Sequence, residues 1–198
     1  ARGIELHDLG MRAAISSLGS IPRLRRLLRA TRPDVVHTWM YHADLVGGIA
    51  ARLGRLAPVV WGVHHTPHPD EPLKRLTKLI IRVNARLSWS VPSRIVCCSH
   101  SSRPAHETMG YDPGKLVTIT NGFDTDTFVP DRSAGASVRD ELGLPRDVPL
   151  IGLMARFHPQ KAHDTFLRAA ALLVAQHPKV RFLLAGRGSN LRNPELLA

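Results

Sequence analysis

Arg156 and Lys161 are the residues whose type and spacing carry the most chemistry in this sequence. They lie in A-R-F-H-P-Q-K-A-H-D, after an apolar run from Leu150 to Ala155 and before a helical pattern from Phe166 to Ala175. The pattern is strand, loop, helix, with two cations in the turn. In parallel α/β sheets, ligands collect at the carboxyl ends of strands, where a helix N-terminus already favours anions. Arginine offers a planar fork of donors and lysine a compact charge, a pairing suited to a diphosphate. The same spacing also fits a pair of surface cations in a strand–helix loop. Other chemistry is sparse. The 11 histidines show no C-x2-C or H-E-x-x-H spacing. Asp124-Thr125-Asp126 has a D-x-D spacing, but it falls in an Asn-Gly turn rather than at a strand-end loop.

These residues need a scaffold, and the pattern predicts one. Residues 4–9 read as a short strand, and 21–30 as a helix with Pro22 in its first turn. Strands are expected at 35–38, 58–63, 94–99 and 116–120, with helices at 43–53, 73–87 and 101–109 between them. Residues 132–144 read as a linker and a short helix. A strand from about 148, a helix at 165–176 and a strand at 180–185 follow, meeting Gly186-Arg187-Gly188. The alternation predicts an α/β fold: parallel sheets in two Rossmann-like units, with helices on both faces. The expected domains are 1–130 and 148–198, joined by a linker at 131–147. The helix at 73–87 repeats Leu73, Leu76, Ile80, Val83 and Leu87 as an apolar stripe. Lys74, Lys78, Arg82 and Arg86 run beside it with Arg75, and no acid lies between Leu73 and Ser93. That face is either solvated or meets anionic lipid headgroups.

Composition bounds the partners. A 198-residue chain with 43% hydrophobic content makes one large domain, or one and part of another. A net charge of +11 points to anions. Only 5% of residues are aromatic, and no helix-turn-helix, RNA-recognition or zinc-finger signature is present, which argues against nucleic acid. No run approaches the roughly 20 apolar residues that span a membrane, and the first residues lack the apolar core of a signal peptide. Cys97 and Cys98 are adjacent in an apolar run, so buried thiols in a reducing cytoplasm are expected.

Three elements in order carry a resemblance: V-H-H-T at the end of a strand, N-G-F-D, and R-x4-K. Together they resemble family 4 of the retaining glycosyltransferases, of GT-B fold, most of all bacterial members that build lipopolysaccharide, capsule or exopolysaccharide. The resemblance implies that Arg156 and Lys161 hold the diphosphate of a sugar nucleotide, stabilising the leaving group without a metal or other cofactor. It also implies that His65 is the catalytic-site residue of the first domain, with Thr66, Tyr41 and His42 toward the acceptor. Gly186 and Gly188 match a turn near the nucleotide base. Ala155 and Ala162 stand where family members often have glycine, and Arg187 where they often have an acid. The family's Gly-rich loop would precede Ala1 and its E-x7-E pair would follow Ala198. The chain therefore reads as an internal fragment, inactive by itself. The implied function is transfer of a sugar from a nucleotide-diphosphate sugar to a lipid-linked or saccharide acceptor, in the cytoplasm or on the inner face of the membrane. The alternatives are a non-catalytic domain that binds anionic lipid or a partner, and a GT-B sugar-nucleotide epimerase.

Overall fold

Four short apolar segments become a parallel sheet because each is too short to be anything but a strand and each is followed by a helical pattern. The computed structural model describes residues 4–9, 19–66, 73–190 and 192–197. They fall into two compact units, Ala1–Phe123 and Asp124–Ala198.

The first unit runs α1 (Ile21–Thr31), β1 (Val36–Trp39), α2 (Tyr41–Gly54), β2 (Val59–Val63), α3 (Arg75–Ser88), β3 (Arg94–Cys97), α4 (Ser102–Thr108) and β4 (Leu116–Thr118). All pairings are parallel, and spatial order follows chain order, β1-β2-β3-β4. Crossovers of the usual right hand then put the connecting helices on one face of the sheet. Burial agrees: Thr38, Trp61, Val63, Ile95 and Cys97 are buried, while the alternating His37 and Trp39 are exposed. The expectation of helices on both faces is thus corrected for the connecting helices among the described residues of this unit. The core gathers Trp61, Val63, Ile80, Ile81, Ile95, Tyr111 and Leu116, large side chains worth about 1.5–3 kcal/mol each when fully buried. Gly47 and Gly48 let α2 lie close on the sheet. A Cβ on Gly47 would stand 2.6 Å from the Thr38 methyl, and one on Gly48 2.8 Å from the Trp61 indole nitrogen.

Two further expectations are corrected here. Residues 4–9 pair with no strand among the described residues; instead the Arg23 guanidinium donates to the carbonyls of Asp8 and Leu9, at 3.2 and 3.5 Å. Alternation alone does not make a strand without a neighbour to share its hydrogen bonds. In α3 the buried face is Ile80, Ile81, Asn84, Ala85 and Ser88. Of the expected apolar stripe, Ile80 is buried and Leu73 and Leu87 pack against the core, but Leu76 stays 41% exposed, as does Leu79 outside the stripe at 55%.

The second unit runs α5 (Arg132–Glu141), β5 (Leu150–Met154), α6 (His163–Gln176), β6 (Arg181–Ala185) and α7 (Pro194–Leu197). Asp131 caps α5 by accepting from the amides of Ser133 and Ala134. β5 and β6 pair in parallel with α6 as the crossover, and Phe166 meets Phe182 edge to face at 5.9 Å.

Candidate functional site

In the second unit, the ends of β5 and β6 bring three of the sequence-predicted residues together, Arg156, Gly186 and Gly188. The pairing runs to Met154 opposite Ala185 and continues past both strands. The Ala155 amide donates to the Ala185 carbonyl at 2.9 Å, and the Phe157 amide to the Arg187 carbonyl at 2.7 Å. Arg156 therefore lies against the Gly186–Gly188 turn. Gly186 has φ 143°, and a Cβ there would fall on the Ala155 carbonyl, so only glycine fits. A 3-10 turn, Pro159–Lys161, carries Lys161 to the N-terminus of α6, with His158 accepting from the Gln160 amide. Ala162 caps α6 in the left-handed conformation, φ 50° and ψ 48°. This is the position where the resembling family often has glycine, and the backbone shows why. No side chain caps α6, so its first amides are open to an anion. Arg156 and Lys161 are exposed, and neither pairs with a carboxylate among the described residues. His163, which the sequence reading passed over, is buried beneath, with its ring 5.0 Å from that of Phe157.

In the first unit, Tyr41, His42, His65 and Thr66 stand at the carboxyl ends of β1 and β2. Met40, with φ 74°, turns the chain between β1 and α2 and donates its amide to the Gly62 carbonyl at 2.9 Å. A non-glycine residue there stores strain of about 1–3 kcal/mol. His64 and His65 diverge as neighbours leaving a strand do. His64 stacks on Trp39, with centroids 3.5 Å apart and planes 10° apart. Burial, then the nearby His37, lowers its pKa, which keeps the stacked ring neutral. His65 instead meets the edge of Tyr41 at 6.2 Å. His42 and Thr66 are exposed beside them.

Beneath these residues is a polar interior that the motifs did not reveal. The Tyr41 hydroxyl lies 3.0 Å from Nε2 of His106, and His106 Nδ1 lies 2.7 Å from the Ser102 carbonyl. A carbonyl only accepts, so Nδ1 carries the proton and Nε2 accepts from Tyr41. Burial lowers the His106 pKa and keeps the ring neutral; the Ser102 carbonyl opposes this and His65 reinforces it. Asp44 is fully buried and accepts from the Thr38 hydroxyl at 2.5 Å. Burial pushes its pKa from 3.8 to about 7, against the pull of Thr38 and the Gly62 backbone. An acid among small apolar residues, A-D-L-V-G-G, was the available signal for it.

The Asp124 carboxylate accepts from the amides of Asp126 and Thr127 and from the Thr127 hydroxyl. Those bonds hold its pKa below the usual carboxylate range and commit it to the turn. Among the described residues, no cluster of three metal-ligating side chains is present, and no helix is long and apolar enough to cross a membrane. Cys97 is buried and Cys98 half-buried, both as free thiols.

These features define an α/β protein of Rossmann-like units with a cationic strand end in its second unit. The chain belongs to glycosyltransferase family 4, whose family profile matches residues 6–127. It is 27% identical to the Escherichia coli UDP-Gal:alpha-D-GlcNAc-diphosphoundecaprenol alpha-1,3-galactosyltransferase over 177 residues, 88% of this chain and 46% of that protein. It is 30% identical to the D-inositol 3-phosphate glycosyltransferase of Thermobispora bispora over 200 residues, 92% of this chain and 45% of that protein. HepE from Anabaena, solved with UDP and glucose, shares the fold at a TM-score of 0.72 and 22% identity, over 94% of this chain and 48% of that one. The chain thus spans about half the length of the curated relatives it matches.

Proposed function

We propose that this chain is part of a glycosyltransferase that moves a sugar from a nucleotide-diphosphate sugar to a lipid-linked or saccharide acceptor, with retention of anomeric configuration, in cell-surface polysaccharide synthesis. The observation that carries this reading is the strand end of the second unit, where Arg156 follows β5 beside the Gly186–Gly188 turn and Lys161 leads into the uncapped N-terminus of α6. A departing diphosphate gains charge in the transition state, and fixed cations stabilise that charge without reorganising. No metal is needed in this scheme. The Escherichia coli relative, named for UDP-Gal and a diphosphoundecaprenol-linked sugar, supports a nucleotide-sugar donor and a lipid-linked acceptor, whereas the Thermobispora bispora relative is named for an inositol phosphate. Tyr41, His42, His65 and Thr66 form the acceptor side, with His65 next to the reacting sugar and Gly186 and Gly188 near the nucleotide.

A peripheral position on the inner face of the membrane fits this acceptor. The exposed Leu76 and Leu79 of α3 lie among Arg75, Lys78, Arg82 and Arg86, an apolar edge in a cationic field.

Calorimetric titration of the intact protein with UDP-, GDP-, ADP- and dTDP-sugars tests the reading. One nucleotide should bind in the micromolar range. Arg156→Ala and Lys161→Ala should each weaken it by about 10- to 100-fold, as expected for a lost charge-assisted hydrogen bond. Absence of binding by the folded protein, or full affinity in both variants, would overturn it.

A further inference from the structure

We propose that His106 is a positioning residue for the acceptor side: it fixes the Tyr41 hydroxyl and, through Tyr41, the imidazole of His65. The proposal rests on the reading of His65 given above.

The contacts form a closed circuit. The His65 ring stands edge-on to Tyr41, at 84°. Tyr41 donates to His106 Nε2 at 3.0 Å, and His106 Nδ1 donates to the Ser102 carbonyl at 2.7 Å. The Ser102 hydroxyl reaches back to the carbonyl of His65 itself at 3.5 Å. The two chain segments that would frame an acceptor, the start of α2 and the end of β2, are therefore tied to α4 through two of its side chains, His106 and Ser102. Tyr41, Ser102 and His106 are 2%, 0% and 0% exposed, so water does not compete for these bonds. Tyr111 packs on the His106 ring at 5.1 Å and 87°, which fixes the ring plane.

Direction matters as much as distance. Because His106 is neutral with its proton on Nδ1, the Tyr41 hydrogen is committed inward. The Tyr41 oxygen can then only accept from anything on its other side. A histidine oriented this way gives Tyr41 one polarity, and a 1 Å error in the placement of His65 would cost about 100-fold in rate.

Two amide replacements separate this role from simple filling of the core. In His106→Asn the side-chain amide reproduces Nδ1, keeping the anchor on Ser102 and removing the acceptor for Tyr41. In His106→Gln the amide reaches the Nε2 position and supplies that acceptor again. With the intact protein and a sugar acceptor, His106→Asn and Tyr41→Phe should each lower kcat by about 10- to 100-fold while nucleotide affinity stays unchanged. His106→Gln should recover most of the rate, and the double variant Tyr41→Phe/His106→Asn should be no slower than either single one. The 1H–15N ring signals of His65 should move in Tyr41→Phe and His106→Asn and return in His106→Gln. Multiplying rate losses, a Gln variant slower than the Asn variant, or unmoved His65 signals would each overturn the proposal. Should the parent transfer no sugar, the functional reading fails, and the His65 signals still decide whether this circuit exists. Should His106→Asn not fold, Tyr41→Phe and His106→Gln carry the same comparison.

Discussion

Asp44 sits out of water with one carboxylate oxygen hydrogen-bonded and the other, Oδ2, without a partner. Desolvation disfavours its charge, and the folded protein holds its proton up to about pH 7. A carboxyl whose pKa rises on folding stabilises the fold fully below its ordinary 3.8, and that stability is lost as pH climbs toward about 7. Over that interval the loss is on the order of 4 kcal/mol. Asp44→Asn keeps an acceptor for Thr38 and removes the titration. Denaturant midpoints should therefore fall from pH 4 to pH 8 in the parent and flatten in the variant; parallel slopes would clear Asp44. The placement of Arg156 and Lys161 between a strand and a helix was legible in the sequence because it is local: strand, turn and helix start fall within fourteen residues. Asp44 and His106 were not, since what makes them unusual is burial by residues far along the chain. The Tyr41–His106 bond spans 65 positions, and no spacing rule reaches that far.

Helix α3 buries a sector that its apolar period marks only in part. Its length and period were plain from Leu73 to Leu87, and Leu73, Ile80 and Leu87 do pack on the core, but the buried sector also takes in Asn84 and Ser88 and leaves Leu76 out. The reason is polar: Asn84 donates to the Tyr41 carbonyl at 2.8 Å, and the Ser88 hydroxyl accepts from the Asp112 amide at 2.9 Å. Buried partners for these groups outweigh the burial of one more leucine edge. The displaced leucines are then available to a lipid surface. Cosedimentation of the intact protein with phosphatidylglycerol-rich vesicles should show binding that falls at least tenfold in Lys78→Glu/Arg82→Glu, given about 1 kcal/mol per basic residue. Leu79→Ser should weaken binding without changing its salt dependence. Binding indifferent to all three changes would mark the face as merely solvated.

At the scale of the units, the strand–helix alternation follows from local patterning, whereas the division after Phe123 and the one-sided placement of the first unit's connecting helices follow from tertiary contacts and strand order, which periodicity does not encode. The two sets of site residues can accordingly be tested one unit at a time. Gly186→Ala forces a Cβ onto the Ala155 carbonyl within the second unit. It should abolish measurable nucleotide binding by calorimetry, at least a tenfold loss, while the His106 ring signals of the first unit hold their positions. Wild-type affinity in this variant would show that the close approach of the two strand ends is not part of the nucleotide site.

Ala162 gives the loop that bears Lys161 an unusual economy. Glycine would adopt the left-handed turn without steric cost, but it would also leave the loop many other conformations. Alanine accepts about 1–2 kcal/mol of local strain and denies the chain most of those alternatives. The left-handed turn before α6 is therefore maintained by the packing around it and not by the intrinsic preference of the residue that makes it.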